Sequence, residues 1–232
     1  MIPKDKLIEM FGHSWYEVLE EYISSEAFTK LASIITALRN TKVIYPHREL
    51  IFRAFSSTPY DKVKIVLLGQ DCYHDGSADG LAFSNNLSRT PSSSLANILK
   101  EIDNEYPEWV RDIGFGRLDR LDLSRWANQG VFLYNTALTV EQGKPGSHLE
   151  LWVEFTKFVV NKINKKNEII WILLGKESQK YTKFVTNKTH SILQASHPAA
   201  EVYRANAGFF GSNIFKEANT ELELRNMNII QW

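Results

Sequence analysis

The chain has 232 residues, with a hydrophobic fraction of 44% and an aromatic fraction of 12%, which suit a single folded domain spanning 1–232 and exclude a disordered or low-complexity protein. Lys plus Arg and Asp plus Glu both number 27, so no net charge marks the chain for nucleic acid, and any such partner must be met by a local field. No run approaches the roughly 20 apolar residues of a membrane span, the opening Met-Ile-Pro-Lys-Asp-Lys lacks a signal peptide's apolar core, and one cysteine, Cys72, leaves no internal disulfide and predicts a reducing, intracellular setting, cytoplasmic for a bacterial-type or viral protein and nuclear in a eukaryotic host.

In chain order, Ser14 followed by Glu17 has the form of a capping box. Trp15, Val18, Leu19, Tyr22 and Ile23 then recur at helical spacing, and Phe28, Leu31, Ile34, Ile35 and Leu38 continue it. Four short apolar runs read as buried strands, 63–68, 131–134, 169–174 and 191–195. Helical patterns lie between them, Leu95-Ile98-Leu99-Ile102 and Trp152-Phe155-Val159-Ile163. This alternation predicts an α/β fold of three layers, α/β/α, around a central, mainly parallel four-stranded sheet. Lys176, Lys180, Lys183 and Lys188 form a mildly basic segment, read as a solvated helix face.

In open α/β sheets ligands bind beyond the carboxyl ends of the strands. The first strand is followed by Gly69-Gln70-Asp71-Cys72-Tyr73-His74, the second by Asn135-Thr136, the third by Gly175-Lys176-Glu177-Ser178 and the fourth by Ser196-His197-Pro198. Singly, each reads as turn or cap chemistry. Together they bring a carboxylate, a carboxamide and two imidazoles to one rim, which points to a site.

These clusters, in this order, resemble the family 1 uracil-DNA glycosylases. Residues 69–74 resemble the GQDPYH motif, Gly80 to Ser84 match GLAFS, and Pro91 to Glu101 resemble PPSLxNIxKE. Leu133 to Val140 resemble LLNTxLTV, Ser147-His148 and Trp152 to Thr156 match the stretch after it, Ser196-His197-Pro198 resembles HPSP, and Gly208 to Gly211 with Phe215 and Asn219 match GFFG…F…N. The ordered set runs nearly end to end. It implies hydrolysis of the bond between uracil and deoxyribose in single- or double-stranded DNA, with no cofactor and no metal. It also implies a monomer, and a DNA groove that a proteinaceous glycosylase inhibitor would fit.

The resemblance assigns roles that the chemistry supports. An enzyme acting on one base takes it out of the stack. Phe83 would stack on the flipped ring. Asn135, with both a donor and an acceptor, would read O4 and N3–H of uracil, where cytosine presents the opposite pair. Tyr73 would occupy the space that the thymine methyl needs, and Gln70 would help bind uracil. Asp71 would position the attacking water, and His197 would act as a neutral donor to uracil O2, meeting charge as it develops. His74, Ser94 and Ser196 would lie against DNA phosphates, and His148 would be structural.

Departures from the pattern are specific. Cys72 stands where the family has proline, which loosens a φ restraint and restores an N–H; a tolerated change is expected, not a nucleophile. Ser92 and Ser93 replace prolines, predicting a more flexible phosphate-gripping loop, and the stretch from His74 to Phe83 is one residue short. Gly175-Lys176-Glu177 replaces a Gly-Ser pair. The family carries Pro-Leu-Ser after HPSP, and that leucine enters the duplex; here Ala199-Ala200-Glu201-Val202-Tyr203-Arg204 follows. A carboxylate at 201 is a poor wedge and is repelled by phosphates. Either Val202 or Tyr203 is the wedge on a longer loop that also carries Arg204, or the protein favours single strands. The rival reading is a non-catalytic DNA-binding or replication-accessory protein on the same fold. Joint retention of Asp71, Tyr73, Phe83, Asn135 and His197 speaks against it, and no Gly-x-Ser-x-Gly elbow supports a generic hydrolase.

Overall fold

The computed structural model describes residues 2–88, 90–112 and 120–232. Three helices come first, α1 (Lys4–Phe11), α2 (His13–Ile23) and α3 (Glu26–Arg39). The capping box expected at Ser14 is not formed. Gly12, at φ 75°, turns the chain between α1 and α2, so Ser14 already lies in the first turn of α2. Its hydroxyl accepts instead from Tyr60 N–H at 2.9 Å. The side-chain cap of this region is Ser25, which accepts from Phe28 N–H at the start of α3 at 3.3 Å.

A short strand β1 (Ile44–Tyr45) and helix α4 (Arg53–Ser57) lead into β2 (Ile65–Asp71). Then come α5 (Ser93–Glu105), α6 (Pro107–Asp112), α7 (Ser124–Ala127), β3 (Val131–Ala137), β4 (Val140–Glu141) and α8 (Leu149–Ile163). The chain finishes with β5 (Ile170–Leu174), α9 (Lys176–Gln179), β6 (Ser191–Ala195), α10 (Ala200–Tyr203) and α11 (Ile214–Leu224).

The four long strands make one parallel sheet in the order β3-β2-β5-β6, and β1 pairs antiparallel with β4. From β2 the chain winds outward to β3; from β5 it winds the other way to β6. The carboxyl ends of β2 and β5 are therefore a switch point, where open α/β sheets leave a crevice. The apolar runs at 63–68 and 131–134 mark only part of their strands. Pairing continues through Gly69 with Asn135 to Asp71 with Ala137. Gln70, Asp71 and Asn135 thus lie within the carboxyl-terminal ends of strands, not in the turns beyond them. Main-chain hydrogen bonds do not need an apolar side chain, so the sheet outlasts the hydrophobic pattern.

On one face Phe132 and Tyr134 of β3 stack at 5.1 Å. Trp15 of α2 and Phe55 of α4 close on Phe132 at 4.8 Å and 5.3 Å, and the Tyr134 hydroxyl meets Thr156 of α8 at 2.9 Å. On the other, α11 packs against β5 and β6 and against α5, with Trp126, Phe215 and Trp232 clustered beneath. Burying each such ring is worth about 1.5–3 kcal/mol, so this aromatic framework holds the strand ends still. No helix among the described residues is long and apolar enough to cross a membrane.

Candidate active site

A cavity of about 350 Å³ opens at the carboxyl ends of the strands. Asp71, Tyr73, Phe83, Asn135 and His197 line it, and so do Gln70, His74 and Ser94. Ser196, Glu201, Val202, Tyr203 and Arg204 do not; they belong to the segment beside it.

Asn135 lies near the carboxyl end of β3, an edge strand of the sheet, and is 6% exposed. Its carboxamide lies so close to Gly69 that a Cβ there would stand 2.2 Å from Oδ1. Its Nδ2 donates to Cys72 Sγ at 3.7 Å, and that thiol donates to Ala137 O at 3.6 Å. The cysteine is buried, and burial pushes its thiol up to about 12. At neutral pH it is a small apolar group and not a nucleophile, as expected from the sequence.

Asp71 follows on β2. Its Oδ2 accepts from Gly146 N–H at 2.5 Å, which fixes the carboxylate's orientation. Burial raises its pKa above the ordinary 3.8, while the Gly146 N–H and the nearby His74 pull the other way. Gly146 and Pro145, which lines the cavity, were not singled out from the sequence. The Pro145-Gly146 pair is a turn signal, and nothing local says that the turn lies against a residue 75 positions earlier.

His197 sits where β6 gives way to α10. Its Nδ1 accepts from Ala199 N–H at 3.2 Å. With Nδ1 acting as acceptor, the neutral ring carries its proton on Nε2. Burial lowers its pKa from 6.5, which favours the neutral ring. Gly175, at φ 88°, lies directly behind it: a Cβ there would be 2.7 Å from His197 Cβ.

Phe83 is 9% exposed, its ring centroid 6.2 Å from that of His197. Tyr73 is pinned at its hydroxyl, which donates to Phe83 O at 3.1 Å and meets Ser92 Oγ at 2.5 Å. Ser92 also caps α5, accepting from Leu95 N–H at 3.1 Å. The serine that replaces a proline here therefore ties the Tyr73 wall to a helix end. His148, read as structural, is 3% exposed and meets Thr139 Oγ1 at 2.8 Å.

Beside the cavity, Ser196 Oγ donates to Ala207 O at 2.6 Å, so its hydroxyl proton is already committed within the fold. Glu201 turns inward. Its carboxylate accepts from Ala207, Phe209 and Phe210 N–H at 3.1, 2.8 and 3.2 Å. The next two side chains face solvent, Val202 at 58% and Tyr203 at 87% exposure. Arg204 bonds back to Ala207 O at 3.3 Å. In the basic segment, Lys180 is paired with Glu177 at 2.6 Å.

A half-buried acid, a buried carboxamide, an aromatic ring and a half-buried imidazole thus line one cavity. A family model described as the uracil DNA glycosylase superfamily matches residues 55–223. The chain belongs to the uracil-DNA glycosylase superfamily. It is 42% identical over 224 residues to the uracil-DNA glycosylase of Borreliella burgdorferi, covering 94% of this chain and 96% of that one. With the uracil-DNA glycosylase of Fusobacterium nucleatum it shares 38% over 224 residues, covering 95% of both. Mimivirus uracil-DNA glycosylase has the same fold, with a TM-score of 0.86 at 24% identity over 100% of this chain and 89% of that one. A mimivirus UNG variant in complex with UGI superposes with a TM-score of 0.82 at 26% identity, covering 94% and 87%.

Proposed function

We propose that this superfamily member excises uracil from DNA with Asp71 and His197 as its catalytic residues and with Gln70, Tyr73, Phe83 and Asn135 forming the base slot. Deoxyuridine is flipped out of the strand into the slot. The C1′–N1 bond breaks and its electron pair leaves with uracil. Water's oxygen bonds to C1′ while Asp71 takes its proton, and the Asp71 anion also faces the positive charge that builds on the sugar. His197 Nε2–H donates to uracil O2, where the negative charge collects. A donor aimed at developing charge and already neutral needs no reorganisation when the bond breaks, and such a group is worth about 2.7–4 kcal/mol of barrier. An abasic site remains, with the strand intact.

The observation that carries this reading is the bond from Ala199 N–H to His197 Nδ1, because it directs the ring's own proton into the slot. Asn135 supports uracil over cytosine: its amide offers a donor for O4 and an acceptor for N3–H. Tyr73, held at its hydroxyl by Phe83 O and Ser92 Oγ, supports exclusion of the thymine methyl.

On the DNA side we assign phosphate contacts to His74, Ser94 and Arg204. Ser196 joins them once its bond to Ala207 is exchanged. Tyr203, with Val202 beside it, enters the space that the base vacates. The inward carboxylate of Glu201 shapes that segment and does not touch the stack. Both single- and double-stranded DNA are substrates, and the same groove would accept a protein inhibitor. The working form is a monomer in a reducing, cytoplasmic compartment.

The test is release of free uracil from a uracil-containing oligonucleotide in EDTA. The wild-type chain releases it. Asp71→Asn and Asn135→Asp lower the rate by at least about a hundredfold, the scale of one lost preorganised group. Intact deoxyuridine after incubation of folded wild-type protein with both strand forms would end the proposal.

A further inference from the structure

Phe83 stands at φ 64°, in the left-handed region that a bulky side chain rarely enters. Such a conformation persists only where its surroundings over-determine it. Here one side chain does most of that. Asp79 is 1% exposed. Its Oδ1 accepts from Leu81 N–H at 3.1 Å, and its Oδ2 accepts from Ser84 Oγ–H at 2.5 Å and from Asn86 N–H at 3.2 Å. The carboxylate therefore grips the chain on both sides of Phe83. With Leu81 and Ser84 drawn to one group, the residues between them must reverse direction, and the left-handed turn at Phe83 is that reversal.

Two further bonds complete the clamp. Ala82 N–H donates to Leu133 O at 3.0 Å, and the Tyr73 hydroxyl donates to Phe83 O at 3.1 Å. Asp79 is itself braced. Arg53 Nη1 lies 3.0 Å from Oδ2 and donates to the Asp79 carbonyl at 3.1 Å. Arg53 Nη2 reaches Asp122 at 3.2 Å and Ser124 Oγ at 2.6 Å. Nearly every acceptor position on this buried carboxylate is filled, as its burial demands.

We propose that Asp79, braced by Arg53, is a positioning residue for the base slot: it holds the left-handed turn that sets the Phe83 ring against the flipped base, and it acts on the reaction only through Phe83. The proposal rests on Phe83 being the stacking platform. A platform misplaced by about 1 Å costs on the order of a hundredfold in rate.

The test uses the full chain and a short single-stranded deoxyuridine oligonucleotide, so that duplex contacts play no part. For Asp79→Asn, Phe83→Ala and the double variant, kcat/KM and the Kd of free uracil are measured, with thermal unfolding to show that each is folded. Asp79→Asn keeps the shape but places an NH₂ where Oδ2 accepts. The expected result is a loss of about tenfold to a hundredfold in kcat/KM and a weaker uracil Kd for each single variant, with the double variant no worse than Phe83→Ala alone. If Asp79→Asn does not fold, Ser84→Ala removes one of the same bonds and is expected to show a smaller loss, again absent on Phe83→Ala. Losses that multiply in the double variant, or an Asp79→Asn protein with unchanged uracil affinity, overturn the role of Asp79 while leaving the platform in place. A Phe83→Ala protein as active as wild type removes the platform, and the proposal with it.

Discussion

At the scale of single residues, one physical cause acts in two directions. Asp71 and His197 are both partly withdrawn from water, and burial penalises charge. It raises Asp71 above 3.8 and lowers His197 below 6.5. In the proposed reaction Asp71 works as the anion, so activity is expected to be lost as pH falls through its raised pKa. His197 works neutral there, and its lowered pKa moves its protonation to lower pH than that of a free imidazole. A kcat/KM profile is therefore expected to fall on the acid side with a midpoint above 3.8, and to show no step at the free-imidazole value of 6.5. A step near 6.5 that persists in Asp71→Asn would show His197 titrating normally. Asp71, Asn135 and His197 were legible in the sequence because a polar residue at the end of a buried strand is conspicuous. Gly146 and Asp79 were not. A turn glycine and a loop aspartate have ordinary local explanations, and their partners become neighbours only when the sheet forms.

Among the elements, the segment from β6 to α11, which the proposed function assigns to the DNA side, shows how carboxylates order a surface. Glu201 holds the N–H groups of 207, 209 and 210; Glu101 of α5 holds those of Gly211 and Asn213 at 3.0 and 3.3 Å. Glu105, one helical turn later, holds Phe215 and Lys216 at 3.5 and 2.6 Å. A stretch with little regular structure thus has its donors satisfied by three side chains, and Tyr203 is presented from a fixed base. Stacking of a base on an aromatic ring is worth about 1–3 kcal/mol. Tyr203→Ala is expected to lower kcat/KM about tenfold on duplex DNA and less than twofold on single strands, with Glu201→Leu moving the same way as its loop loosens. Equal losses on both substrates would remove Tyr203 as the wedge. The strands themselves were readable as apolar runs, yet their ends were not, since pairing runs on through Asn135 and Asp71. Ser14 misled for a related reason: it has the right neighbours for a cap, but Gly12 sets the helix start and Tyr60 claims its hydroxyl.

For the molecule as a whole, Glu101 and Glu105 also join α5 to the chain leading into α11. Burial pushes the Glu105 carboxyl up to about 7, against 4.5 for the free side chain, with Glu101 adding to the rise. The folded state then holds that proton more tightly than the unfolded one. The stability this gives is complete below pH 4.5 and is lost as pH rises through 7. Relative to Glu105→Gln, the wild-type chain is expected to lose about 1–2 kcal/mol between pH 5 and pH 8, after allowing for solvent screening. Urea unfolding at the two pH values measures it; a constant difference between the two proteins would show that this carboxyl does not couple to folding. The alternation of strands and helices made the layered parallel sheet legible, and the balanced charge left the position of the DNA-facing surface to the structure.

Gly69 and Gly175 back the two groups that read and receive the base, with no space for even a methyl behind either. Those walls of the recess are main chain. Point substitution can crowd it there but cannot enlarge it, because there is no side chain to trim. Of the two aromatic side chains that line the cavity and can still be trimmed, Tyr73 and Phe83, the proposed function makes Phe83 the platform itself. Laboratory selection for activity on a bulkier lesion should therefore converge on position 73, whatever library it starts from.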